Sequence, residues 1–76
     1  MAYYAKGDCD RASADYDKAI QLAPDIAKFY YGRGIVHRRR GDAEKAAADL
    51  KTVLELSDDQ ALRQAAQQEL DKLGVK

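Results

Sequence analysis

Residues 27–60 read AKFYYGRGIVHRRRGDAEKAAADLKTVLELSDDQ, and the Arg40-Gly41-Asp42 junction inside this stretch decides the fold. Glycine adopts the left-handed conformation that ends a helix, and a short carboxylate can accept from the free amides that open the next one. A helix running to about Arg40, a tight turn, and a second helix over 42–56 are therefore predicted. In the second, Ala46, Leu50, Val53 and Leu54 recur at helical spacing and give one apolar face. Arg40-Gly41-Asp42 also matches a cell-adhesion tripeptide, but the chemistry of the helix junction accounts for it.

Working outward, the chain repeats itself at an offset of 34 residues, with seven identities in 26 aligned pairs. Gly7-Asp8 falls on Gly41-Asp42, Ala12 on Ala46, Ala14 on Ala48, Asp15 on Asp49, Leu22 on Leu56 and Asp25 on Asp59. Tyr16 meets Leu50, and Ile20 meets Leu54. The first copy thus predicts an amphipathic helix over 8–22, capped by Asp8 and stopped by Pro24, with Asp25 offering the cap of the helix that follows. Ser57 and Gln60 stand at capping-box spacing ahead of a last helix from Ala61 to Leu73, before Gly74. The fold class is all-α: about four helices in antiparallel helix-turn-helix pairs.

Two glycines inside the second helix, Gly32 and Gly34, each cost on the order of 1 kcal/mol relative to alanine. Close packing explains them, with Gly34 expected to face a small residue of the next helix. The flanking Gly-Arg-Gly-Ile-Val-His contains neither a dinucleotide fingerprint nor a phosphate loop.

Composition narrows the function. At 76 residues the chain is too short for a large two-substrate cleft, and an apolar core of this size supplies only a few kcal/mol. Cys9 is the only cysteine and His37 the only histidine, so an internal disulfide and a structural zinc site are both excluded. No metal or cofactor is expected. Thirteen basic residues balance thirteen acidic ones, without the basic excess of a nucleic-acid binder. No apolar run reaches the roughly 18 residues of a membrane span and no export signal is evident, so a cytoplasmic setting is expected. The sequence holds no Asn, which removes N-glycosylation.

The 34-residue period with two helices per unit resembles the tetratricopeptide repeat. In 27–60, Tyr30 takes the position usually held by Trp, Gly34 the Gly position, Ala46 the small position and Leu50 the Phe position, while Arg33 replaces Leu and His37 replaces Tyr. In 1–26 only the second helix is matched, through Ala12, Tyr16 and Pro24, with Tyr3 at the end of a first helix cut short. Residues 61–76 are similar to the polar helix that closes such arrays. The resemblance implies a partial repeat over 1–26, a complete one over 27–60 and a capping helix over 61–76. It also implies an α-solenoid whose first helices line a groove for a peptide or partner helix, and a scaffold without catalysis.

Five cations, Lys28, Arg33, Arg38, Arg39 and Arg40, lie in 26–41 without an acid. Lys28, Tyr31, Ile35 and Arg38 fall at spacings of three, four and three and form one stripe. With Arg39 they are the candidate partner-binding residues, suited to an amphipathic segment with acidic flanks. The competing reading is structural, because cations in a last helical turn offset the dipole. The groove lacks the Lys and Asn with which some family members clamp a terminal carboxylate, so that activity is not implied. His37 reads as a packing or surface residue with no nucleophile beside it in the helical register, and Cys9 as a small buried one. An open first unit invites pairing, so Tyr3 and Tyr4 are expected at a two-fold interface between copies, and the alternative function is self-assembly.

Overall fold

The computed structural model describes residues 6–74 as four helices: α1 (Lys6–Leu22), α2 (Ala27–Arg40), α3 (Ala43–Leu56) and α4 (Gln60–Lys72), with no strand among those residues. Helix α2 is central. It packs against α1 on one side and α3 on the other, while α4 lies on α3 and also touches α2.

The turns explain this path. At the α2–α3 junction Gly41 has φ 89°, its amide donates to Arg38 O at 3.0 Å, and the Asp42 amide donates to His37 O at 2.9 Å. This pair of bonds closes the last turn of α2 and reverses the chain in two residues. Pro24 lies just past α1, and its carbonyl accepts from the Tyr30 hydroxyl at 2.9 Å, so the breaker also anchors α2. From α4, the Arg63 guanidinium donates to the Leu54 carbonyl and to Ser57 O at 3.1 Å, placing a cation on the negative end of α3.

Helix capping departs from the sequence expectation at four places. Asp8 lies inside α1 rather than ahead of it. Ile26, in extended conformation, occupies the N-cap of α2 in place of Asp25. Asp42 does hold the N-cap of α3, yet its carboxylate accepts no capping bond; its backbone carbonyl accepts from the Ala46 amide at 2.9 Å. At α4 the cap is Asp59, accepting from the Ala61 amide at 2.9 Å, and Ser57 Oγ accepts from the Asp59 amide at 3.1 Å. Several short polar residues compete at each junction, and backbone geometry selects among them.

Leu50, Val36, Val53 and Cys9 are fully buried. Side chains of this kind contribute roughly 1.5–3 kcal/mol each when removed from water. Leu50 and Val53 form one cluster with Ala47 of α3 and with Ala66 and Leu70 of α4, and Tyr30, Tyr31 and Leu62 pack against it from the side. Gly34 admits α3, since a Cβ there would meet Leu50 Cγ at 3.2 Å and Asp49 Cβ at 3.3 Å. The atoms nearest to that position thus belong to the Leu50 side chain and the Asp49 methylene.

Candidate functional site

The stripe anticipated on α2 reaches a surface groove. Lys28, Tyr31 and Ile35 line it together with Gly32, Tyr16 of α1 and Leu62 of α4, and the space they enclose is about 430 Å³. Lys28 is exposed, whereas Tyr16, Tyr31, Ile35 and Leu62 are half-buried, so an apolar floor carries a cation at its rim. The Tyr16 ring lies directly over Gly32, where a Cβ would fall 2.3 Å from Cζ. Only glycine leaves room for the ring in this orientation. Sequence reasoning missed Tyr16 and Leu62, because neither belongs to α2. The available signal was Tyr16 facing Leu50 across the repeat register.

Arg38 and Arg39 do not line this groove. Arg38 Nε lies 2.8 Å from Glu69 Oε1 of α4, an ion pair in which the N–H does not point along the contact. Glu69 is largely buried and also takes Lys72 Nζ at 3.3 Å. One end of the cationic stripe is therefore joined to α4, while Arg39 is exposed at the end of α2. Tyr3 and Tyr4 lie outside the described residues.

On the opposite side of α2 a second cleft, about 480 Å³, is lined by Ser13 and Asp17 of α1, Arg33, His37 and Arg40 of α2, and Lys45, Ala48 and Asp49 of α3. Arg33 dominates it. Its Nε and Nη2 donate to the two carboxylate oxygens of Asp49 at 2.9 and 2.8 Å, and Nη1 donates to Asp17 at 2.7 Å. The Asp49 hydrogen bond raises the Arg33 pKa further above its usual range. Arg33 also sits over the Tyr30 ring, 5.6 Å from its centroid. Arg40 reaches Asp10 at 3.3 Å, so the cleft's charges are largely paired internally.

His37 is buried beside this cluster, with Nε2 3.6 Å from Asp49 Oδ2 and Nδ1 without a hydrogen-bond partner. Burial lowers its pKa below 6.5, against an upward pull from Asp49 and with downward pushes from Arg33 and Arg40. The fold brings Ser13 into the same cleft, which the helical register alone did not suggest. No relay results, because Nδ1 receives no hydroxyl and Asp49 is held by Arg33 rather than by the imidazole. Among the described residues no group of three or more His, Cys, Asp or Glu could hold a metal ion.

The tetratricopeptide repeat profile matches residues 1–70. The chain belongs to the tetratricopeptide repeat family. No curated protein and no solved structure matches it. Repeats of this family generally mediate protein–protein interaction and are typically non-catalytic, so protein partners are the class this chain serves. None of the helices described is long and apolar enough to cross a membrane.

Proposed function

We propose that this tetratricopeptide repeat module captures a peptide or helix in the groove between α1, α2 and α4. The observation that carries the reading is the convergence of Lys28, Tyr31 and Ile35 with Tyr16 and Leu62 around one apolar floor. Tyr31 and Ile35 supply area, Tyr16 supplies a flat aromatic wall, and Lys28 selects acid near the entering segment. Arg38 holds Glu69 at the far end and supports the groove through α4 instead of meeting the ligand directly. Arg39, outside the groove, steers an acidic partner by its field. In this arrangement residues 27–60 are the complete repeat, residues 1–26 contribute one wall and residues 61–76 the other.

Selection from a displayed library of amphipathic helices with varied flanking charge tests the reading. Binders with acidic flanks should be enriched, and Lys28→Glu or Ile35→Ser should abolish their binding without unfolding the chain. Enriched binders indifferent to both substitutions would refute the reading.

A further inference from the structure

Six residues line the groove between α1, α2 and α4, and among the described residues none of them is an acid. Its polar side-chain atoms are the Lys28 ammonium and the hydroxyls of Tyr16 and Tyr31. Tyr30, beside Tyr31 in sequence, bonds its hydroxyl to Pro24 O at 2.9 Å. The hydroxyls of Tyr16 and Tyr31 have no hydrogen-bond partner among the described residues, and Lys28 has no ion-pair partner there. Tyr16 brings its polar end into the groove, since its hydroxyl lies 2.5 Å from where a Cβ on Gly32 would stand. Lys28 and Gly32 are four residues apart, so the ammonium shares that face of α2. Ile35 follows three positions beyond Gly32, or roughly 4.5 Å of helix rise. The groove therefore has an end that bears donors and an end that is apolar.

We infer that an aspartate or glutamate side chain of the bound partner enters the donor-bearing end and is held by Tyr16, Tyr31 and Lys28, with an apolar side chain one helical turn away against Ile35. This rests on the groove reading above and goes further, because it puts the acid inside the groove and makes the two hydroxyls its specificity determinants. A segment that fills the groove displaces water from both hydroxyls, and a donor left unpaired there opposes binding. An ionised carboxylate is an acceptor only, takes several donors at once and neutralises the ammonium. A carboxamide of the same shape leaves the ammonium without a counter-charge, and a Lys or Arg sets cation against cation. The acid is a side chain because the same segment also carries the apolar group, and helical side chains three or four residues apart share one face.

The probe is a helical binder from the displayed library, acetylated and amidated so that its only carboxylates are side chains, with each acid exchanged in turn for its amide. Fluorescence anisotropy titrations against the full chain should find one position at which the amide weakens binding about tenfold or more. Against the chain carrying both Tyr16→Phe and Tyr31→Phe, that loss should shrink by about threefold or more, which identifies a coupling between the acid and the hydroxyls. Each single variant should give part of this shrinkage. Neither hydroxyl has a partner among the described residues, so the variants should keep their circular dichroism and melting temperature. An amide effect of the same size in the wild-type and doubly substituted chains, or none at any position, would overturn the inference. The groove reading would survive that result if Lys28→Glu and Ile35→Ser still abolish binding. Binding indifferent to those two substitutions would refute the groove reading, and this inference with it. Loss of all affinity on amidating the peptide would also overturn the inference, since it would give the donors to a terminal carboxylate.

Discussion

Arg33 donates to both oxygens of Asp49 and, through its remaining terminal nitrogen, to Asp17, so that one guanidinium of α2 ties together α1 and α3. The two bonds to Asp49 are shielded, with that side chain 8 % exposed, while Asp17 is 54 % exposed. Their energetic weights should differ accordingly.

Asp49→Asn keeps the shape but leaves Arg33 without its buried counter-charge, and should cost about 2 kcal/mol. For a domain of this size that lowers the melting temperature by roughly 10 °C. Asp17→Asn should cost at most about 0.5 kcal/mol. Thermal melts followed by circular dichroism separate the two, and equal effects would show that the pair is not buried in solution.

The two glycines of α2 should answer substitution differently. Gly34→Val forces a branched side chain against Leu50 and Asp49 and should destabilise by about 2 kcal/mol. At Gly32 the obstacle is the far end of the Tyr16 ring, which can swing aside. Gly32→Ala should therefore leave stability within about 1 kcal/mol, as helix propensity offsets the lost ring contact, while shifting the Tyr16 ring resonances. Unchanged ring resonances would place Tyr16 elsewhere.

His37 gives the fold a pH dependence of definite sign. Its folded pKa lies below 6.5, so the unfolded chain binds the extra proton first. Stability should be full above about pH 6.5, decline as pH falls through that value, and stop declining on this account below the folded pKa. Denaturant titrations from about pH 8 to about pH 5 should show this slope, and His37→Gln should flatten it. An undiminished slope in the variant would assign the effect to other groups.

Lys28 and Arg38 share a stripe but not a role. Lys28→Glu should leave the melting temperature nearly unchanged, because the side chain is exposed at the groove rim. Arg38→Glu places an acid beside the largely buried Glu69 and should destabilise by about 1–2 kcal/mol. Matched melts of the two variants check this, and loss of stability in Lys28→Glu would make it unsuitable as a groove probe.

The helices and their order were legible in sequence because Pro24 and Gly41 interrupt strong helical periodicity: proline lacks the amide a helix interior needs, and Gly41 readily takes the left-handed conformation (φ 89°) that ends one. The caps were not, since Asp25, Ile26, Ser57 and Asp59 compete through local geometry rather than residue type. Of the groove, Lys28, Tyr31 and Ile35 were readable from spacing on one helix. Tyr16 and Leu62 enter only when α1 and α4 close over α2, which periodicity within a single helix does not encode. The Arg33–Asp49 bond was hidden for the same reason, although the recurrence of aspartate at 15 and 49 marked the position. Arg38 was read as facing a ligand because its buried partner lies on another helix, 31 residues later in the chain.

The central claim is that the groove face of α2, rather than the charged cleft behind it, receives the partner. Amide chemical-shift mapping with an acid-flanked helical binder tests it most directly. The account predicts perturbations concentrated at Tyr16, Lys28, Tyr31, Gly32, Ile35 and Leu62; perturbations centred instead on Ser13, Arg40 and Lys45 would contradict it.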